Sequence, residues 1–196
     1  MRTLQHQTAL IICSAAGPGP AIAERYAALG AQVVLHTEKD QEPIRQVISN
    51  IKAMGVKVTS VDAEPGNVNG LANLFKNLSA QFKKINIVVI DQEQTNIPDL
   101  LQQAARHISD GGRIIHLTST EAATLERTLA LISDLALEFA GKNVTINTII
   151  IPPSGQGIFN RQTEAGDVAD AAEFFASDLS GLVSGQQLLI NGTRNT

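Results

Sequence analysis

The stretch Leu10-Ile-Ile-Cys-Ser-Ala-Ala-Gly-Pro-Gly-Pro-Ala-Ile-Ala23 decides how this chain folds. An apolar run ends there in a loop of small residues, glycine and proline, and a helical pattern starts directly after the loop. This order is typical of turns that bind nucleotide phosphates, because glycines admit backbone N–H groups to the anion and the helix N-terminus adds a positive dipole. Pro18 and Pro20 have no N–H group, so the stretch equally fits a simple connection between a strand and a helix.

Composition predicts one globular domain over residues 1–196, with 43% hydrophobic and 17% charged residues. The net charge of −4 and the lack of a Lys/Arg cluster argue against nucleic acid as a partner. Cys13 is the only cysteine, which rules out an intramolecular disulfide. The N-terminus is polar and no apolar run approaches the length of a membrane span, so we expect a cytoplasmic protein without membrane contact.

Apolar runs alternate with helical patterns along the whole chain, which predicts a parallel sheet covered by helices on both faces. The predicted strands are 9–13, 31–36, 56–61, 85–90, 113–118, 144–151 and 187–190. The predicted helices are 21–29, 42–54, 66–82, 99–108, 122–140 and 167–175. We expect the longest helix, 122–140, to cover the sheet and to bind a second copy of the chain.

Three passages carry a resemblance to a known family. They are Ala21 to Leu35, Leu135-Ala-Leu-Glu-Phe-Ala140 leading to Val144-Thr-Ile-Asn147, and Asp167 to Asp178 leading to Ser184-Gly-Gln-Gln-Leu-Leu-Ile-Asn-Gly192. In this order they resemble the short-chain dehydrogenase/reductase family, especially its 3-oxoacyl-carrier-protein reductases. The resemblance implies a doubly wound, Rossmann-like α/β fold in three layers, with about seven strands in the order 3-2-1-4-5-6-7.

The resemblance also implies where a dinucleotide would bind. The family's cofactor loop, Thr-Gly-x-x-x-Gly-x-Gly, aligns with residues 12–19, where two glycines remain and Cys13 stands at the first glycine. The implied cofactor-binding residues are Ser14, Gly17, Gly19, Thr37, Glu38, Asp62 and Ala63. Glu38 would repel a 2′-phosphate, so we expect NAD rather than NADP. Asp91, in place of an Asn in the family's Asn-Asn-Ala-Gly, would disfavour a pyrophosphate, so we expect NAD to bind weakly or not at all.

The family's catalytic residues are mostly missing. Its members reduce carbonyls with a tyrosine acid, a lysine four residues later and a serine that orients the substrate. The single tyrosine here is Tyr26, and no Tyr-x-x-x-Lys occurs in the sequence. Glu121 and Leu125 align near the tyrosine and lysine positions, and only Ser119 matches the family's serine. Three segments that build the substrate pocket in the family are also shorter here.

These observations leave three hypotheses. The first is a catalytically silent member with a binding, regulatory or structural role and a vestigial Ser119. The second is an NAD-dependent oxidoreductase acting on a small carbonyl or alcohol substrate, with Glu121 or His116 as an atypical proton donor. The third is a methyltransferase that uses S-adenosylmethionine, with Glu38 as the acid after strand two. The four histidines have no metal-ligand spacing, so we expect no metal site. We expect His36 and His116 at strand ends, and Cys13 buried as a small apolar residue.

Overall fold

The computed structural model describes residues 4–37, 42–62, 68–82, 84–91, 96–152 and 163–190. Within these residues, seven strands and six α-helices follow one another along the chain. The strands are β1 (Thr8–Cys13), β2 (Gln32–Thr37), β3 (Val58–Asp62), β4 (Ile87–Asp91), β5 (Arg113–Ser119), β6 (Thr145–Ile151) and β7 (Gln187–Leu189). The helices are α1 (Gly19–Ala28), α2 (Glu42–Ala53), α3 (Val68–Gln81), α4 (Ile97–His107), α5 (Leu125–Glu138) and α6 (Ala165–Ala176).

The strands form one sheet in the order β3-β2-β1-β4-β5-β6-β7, and the paired strands are parallel. The predicted doubly wound class and strand order are therefore confirmed. The order reverses between β1 and β4, which lie side by side and end together at Cys13 and Asp91. In sheets of this type, ligands bind at this reversal, beyond the carboxyl ends of the strands.

Helices cover both faces of the sheet. One face packs against α1, α2 and α6, and the other packs against α3, α4 and α5. All six residues of β1 are buried, as expected for a central strand that is covered on both sides. No helix in the described part of the chain combines the length and the apolar character that crossing a membrane requires.

Two helix starts differ from the predictions in a way that matters for the site. Helix α1 begins at Gly19, inside the predicted loop, because proline fits the first turn of a helix, where its missing N–H is not needed. Helix α5 begins at Leu125 rather than at residue 122. The residues between β5 and α5 form turns instead, with the Ala122 N–H bonded to the Ser119 carbonyl and the Leu125 N–H bonded to the Ala122 carbonyl.

Candidate functional site

The carboxylate of Asp91 caps helix α1 from the neighbouring strand. The residue before the helix, Pro18, makes no side-chain hydrogen bond to the helix, and the first turn contains no acidic residue. Asp91 ends β4 directly beside Cys13, and its Oδ2 atom accepts a hydrogen bond of 3.0 Å from the Gly19 N–H. An acceptor and a negative charge at this position both stabilise the start of a helix.

Gly17 and Gly19 are needed by the fold itself. A Cβ atom on Gly17 would lie 2.4 Å from Oδ2 of Asp91, and one on Gly19 would lie 2.2 Å from Cβ of Cys13. Both distances are far shorter than any van der Waals contact. The two glycines of the predicted cofactor loop therefore make room for Asp91 and Cys13, whether or not a ligand binds.

Two backbone donors of the turn, those of Gly17 and Gly19, are used within the protein. The Gly17 N–H donates to Oγ of Ser14 at 3.1 Å, and the Gly19 N–H donates to Asp91. Pro18 and Pro20 have no N–H group to offer. Ser14, one of the predicted ligand contacts, forms a local turn with Gly17 in this structure.

Burial changes the acidity of the two side chains at the end of β1 and β4. It raises the pKa of Asp91 to about 6, although the hydrogen bond from Gly19 lowers it again in part. Burial, and next the charge of Asp91, raises the pKa of the Cys13 thiol to about 12. Near neutral pH the turn therefore contains a carboxylate and a neutral thiol. The predicted burial of Cys13 is confirmed.

Ser119 lies at the carboxyl end of β5, as the resemblance implies, and is half-buried. Its Oγ accepts a hydrogen bond of 3.2 Å from the N–H of Glu121. Glu121 is exposed and precedes α5 by four residues, whereas the predicted helix begins directly after it, at residue 122. The turn formed by Ser119 explains this difference, since it uses the backbone of residues 119–122 before the helix can begin.

His116, one of the two proposed atypical proton donors, and Tyr26, the only tyrosine, are both buried. His116 lies three residues before the end of β5, between Ile90 and Thr148 in the sheet, and not at the strand end as predicted. Burial lowers its pKa to about 4, so it is neutral at neutral pH. Tyr26 is fully buried and donates a hydrogen bond of 2.8 Å to the Ala172 carbonyl of α6. Burial, and next the charge of Glu173, raises its pKa well above the usual value.

The remaining predicted residues are placed only in part. Thr37 and Asp62 end β2 and β3 as neighbours, at the same edge of the sheet as Cys13 and Asp91. Glu38 and Ala63 lie outside the described residues, so the preference for NAD stays a prediction. His36 is buried in β2 beside Ile12, one residue before the strand end. Among the described residues, no group of three or more His, Cys, Asp or Glu side chains is placed to hold a metal ion.

Sequence reasoning identified Asp91 as unfavourable for a pyrophosphate, but it missed the contact with α1. Two signals in the sequence could have revealed it. Helix α1 starts at Gly-Pro and has no capping side chain of its own. Strand β4, which lies beside β1 on the side opposite β2, ends in an acid, Asp91. A helix start without a cap needs an acceptor from elsewhere in the protein.

Residues 7–92 match the family model described as short chain dehydrogenase. Curated relatives match over nearly their whole length: short-chain dehydrogenase/reductase SDRA of Arabidopsis thaliana is 24% identical, with 97% of this chain and 95% of the relative covered. Subunit BbsD of the (2S)-[(R)-hydroxy(phenyl)methyl]succinyl-CoA dehydrogenase of Thauera aromatica is 25% identical, with 98% of each covered. The chain is therefore similar to short-chain dehydrogenases over nearly its whole length. The methyltransferase hypothesis finds no support in these similarities.

Solved structures show the same fold. A short-chain dehydrogenase/reductase of Serratia marcescens superposes with a TM-score of 0.88 at 21% identity, covering 97% of this chain and 98% of that one. A short chain dehydrogenase of Burkholderia cenocepacia, solved in complex with NADP, superposes with a TM-score of 0.85 at 22% identity, again covering 97% and 98%. The alignment with the Arabidopsis relative spans 243 positions, whereas this chain has 196 residues. It therefore lacks segments that the relative contains.

The dinucleotide of the family does not fit the turn as it stands. A pyrophosphate needs free N–H donors and a positive environment at the start of α1. In this chain, the Gly17 and Gly19 donors are bonded internally and Asp91 brings a negative charge.

Proposed function

We propose that this chain is a catalytically silent protein that resembles short-chain dehydrogenases, binds dinucleotides weakly or not at all, and serves as a binding, regulatory or structural module. The observation that carries the proposal is the position of Tyr26, the only tyrosine, which is fully buried and bonded to Ala172. A tyrosine in that environment has no contact with solvent or substrate. The sequence also lacks the lysine that would accompany a catalytic tyrosine in Tyr-x-x-x-Lys.

The chemistry of carbonyl reduction supports this proposal. Hydride transfer leaves a negative charge on the carbonyl oxygen, and a donor must supply a proton to it. His116 is buried in the sheet and neutral near pH 7, so it has neither the proton nor the access. Ser119 accepts a hydrogen bond from the neighbouring backbone.

The alternative function is an NAD(H)-dependent oxidoreductase with an atypical proton donor. Two observations favour it: Ser119 ends β5 at the edge where the family's serine is expected, and Glu121 is exposed two residues later. Relatives named as dehydrogenases cover nearly the whole chain. In this case the carboxyl of Glu121 would have to move towards the substrate from its turn.

An assay of reductase activity separates the two functions. We expect that the protein, mixed with NADH or NADPH and a 3-oxoacyl thioester or a small ketone, oxidises no more cofactor than a reaction without protein. Ser119→Ala and Ser60→Ala serve as a matched pair, since Ser60 is exposed on β3. Cofactor oxidation that scales with protein concentration, and that is lost in Ser119→Ala but kept in Ser60→Ala, would contradict the proposal.

The same proposal includes a location and an assembly. A chain whose single cysteine is buried has no disulfide that needs an oxidising compartment, which supports the cytoplasm. We also propose a homo-oligomer formed through α5, because part of this helix remains exposed and apolar. Neither the small-molecule ligand nor a protein partner is specified by the residues of the turn.

A further inference from the structure

The turn between β1 and α1 already contains a built-in anion. We propose that Asp91 excludes phosphate-bearing ligands, dinucleotides included, from this turn by holding its own carboxylate there. The inference rests on the weak dinucleotide binding in the proposed function and assigns the cause to one residue. It concerns ligand specificity, and so it can fail while the protein remains catalytically silent.

The position of the carboxylate is the first argument. Oδ2 of Asp91 accepts the Gly19 N–H at 3.0 Å, and the open side of Gly17 points at the same oxygen. The carboxylate therefore fills the space that the two glycines leave next to the start of α1. A phosphate oxygen would need the same donor and the same space.

The charge is the second argument. At the effective dielectric constant of a partly buried site, a unit charge a few ångströms from a phosphate changes its affinity by about a hundredfold. Asp91 is oriented by Gly19 and cannot avoid this repulsion without leaving the helix uncapped. The repulsion and the loss of the helix cap therefore both lower the affinity for a phosphate.

A neutral side chain at position 91 would be sufficient if its role were only to cap the helix. Asn, Ser or Thr would accept the same hydrogen bond without carrying a charge. An aspartate that burial makes harder to ionise is a poor choice for capping alone. The property that Asp91 adds to this site beyond a cap is its negative charge.

The groups that face Asp91 predict how exclusion depends on pH. On β1 the carboxylate faces Cys13, on α1 it faces the Gly19 N–H in a first turn without acidic residues, and on β5 its neighbour is Leu117. The Cys13 thiol stays neutral at any moderate pH, because its pKa is about 12. Acidification through about pH 6 should therefore neutralise Asp91 alone among these groups and weaken the exclusion.

Titration calorimetry with inorganic pyrophosphate and with NAD tests the proposal. Asp91→Asn keeps the hydrogen-bond acceptor for the helix and removes the charge. Asp91→Ala removes both and opens the space next to Gly17 and Gly19. Asp134→Asn is a control on the exposed side of α5. We expect Asp91→Asn to bind pyrophosphate at least about tenfold more tightly than the wild type near pH 8. Asp134→Asn should match the wild type. The wild type should gain affinity at about pH 5, and Asp91→Asn should not.

Each result has one meaning. The proposal is overturned if Asp91→Asn and Asp91→Ala unfold cooperatively, like the wild type, but bind neither probe more tightly. It is also overturned if the wild type binds NAD, whose phosphates stay ionised over this range, equally at both pH values, an arm that requires no variant to fold. Turnover of a carbonyl substrate with NADH would contradict the proposed function but would leave the affinity comparison to decide the role of Asp91.

Discussion

Asp91, which is half-buried, and His116, which is buried, lie on neighbouring strands, and burial moves their pKa values in opposite directions. The pKa of Asp91 rises from 3.8 to about 6, and that of His116 falls from 6.5 to about 4. Between these values the folded protein binds a proton on Asp91 that the unfolded chain releases. Over the same range the unfolded chain binds a proton on His116 that the folded protein does not take up.

The two pKa shifts have opposite effects on how the stability of the protein depends on pH. The contribution of Asp91 is fully present below pH 3.8 and is lost as the pH rises through about 6, whereas that of His116 is present above pH 6.5 and is lost as the pH falls towards 4. In the wild type the two effects largely cancel between about pH 4 and 6.5. The contribution of either residue becomes visible only when the other is removed.

We predict that His116→Leu changes the pH dependence of stability. The variant no longer has to keep a neutral histidine in the sheet, so its free energy of unfolding relative to the wild type should rise by roughly 2–3 kcal/mol between about pH 7 and pH 4. Urea denaturation at both pH values measures this difference. His6→Asn is the control, because His6 is exposed and Asn tolerates its positive φ of 68°. If the free energies of unfolding of His116→Leu and the wild type differ by the same amount at both pH values, the lowered pKa of His116 is contradicted.

At the scale of elements, helix α1 depends on two neighbours for its position. Asp91 of β4 caps its start, and α6 holds its side. Tyr26 donates to the Ala172 carbonyl, and Arg25 forms ion pairs with Asp170 and Glu173, the latter at 3.3 Å. The ion pairs are partly exposed and contribute little, so the buried tyrosine is the stronger link between the two helices.

We predict that Tyr26→Phe lowers the free energy of unfolding by about 1 kcal/mol, because a buried hydrogen bond to the Ala172 carbonyl is lost while the ring remains packed. Urea denaturation measures the change. Because Tyr26 is the only tyrosine, tyrosinate absorbance also reports its ionisation without overlap. In the wild type it should appear only together with alkaline unfolding, since the pKa is raised. Ionisation of a still-folded wild type near pH 10 would contradict the buried position.

Element starts were harder to predict than element order. The helical pattern before Leu125 suggested a helix from residue 122, but the side chain of Ser119 binds the Glu121 backbone and favours a turn there. The Gly-Pro-Gly-Pro run suggested a loop up to residue 20, but an acceptor 72 residues later allows α1 to begin at Gly19. In both cases the first residue of the helix depends on a hydrogen bond that the helix propensities of single residues do not reveal.

At the scale of the whole molecule, the strand order follows from the alternation of apolar runs and helices together with the family resemblance. Buried strands such as Thr8–Cys13 are apolar throughout, which identifies them without any knowledge of their partners. The candidate site was less predictable. The topology determines which residues end strands at the same edge of the sheet. The side chain of Asp91 points to the start of α1 because this helix has no capping side chain of its own. Burial of His116 inside the sheet likewise depends on its exact place in β5.

The long helix carries one more feature that the fold does not use. Its buried side packs on the sheet through Thr128, Ile132, Leu135 and Ala136. A second row at four-residue spacing contains Leu125, Leu129, Ser133 and Leu137, and exposure increases along it until Leu137 is 79% exposed. An exposed apolar row on a helix surface suits a two-fold contact, in which each copy covers the same residues of the other.

We therefore predict that Leu137→Lys shifts the protein from a dimer or larger assembly to a monomer. A charged side chain in a symmetric contact would have to be buried against the partner copy, and an apolar side chain of this size contributes about 1.5–3 kcal/mol when it is buried. Size-exclusion chromatography with light scattering measures the mass at several protein concentrations. Leu182→Lys is the matched control, because Leu182 is fully exposed outside α5. If the wild type is a monomer, or if only Leu182→Lys dissociates it, then α5 is not the interface, and the exposed leucine row of this helix needs a different explanation.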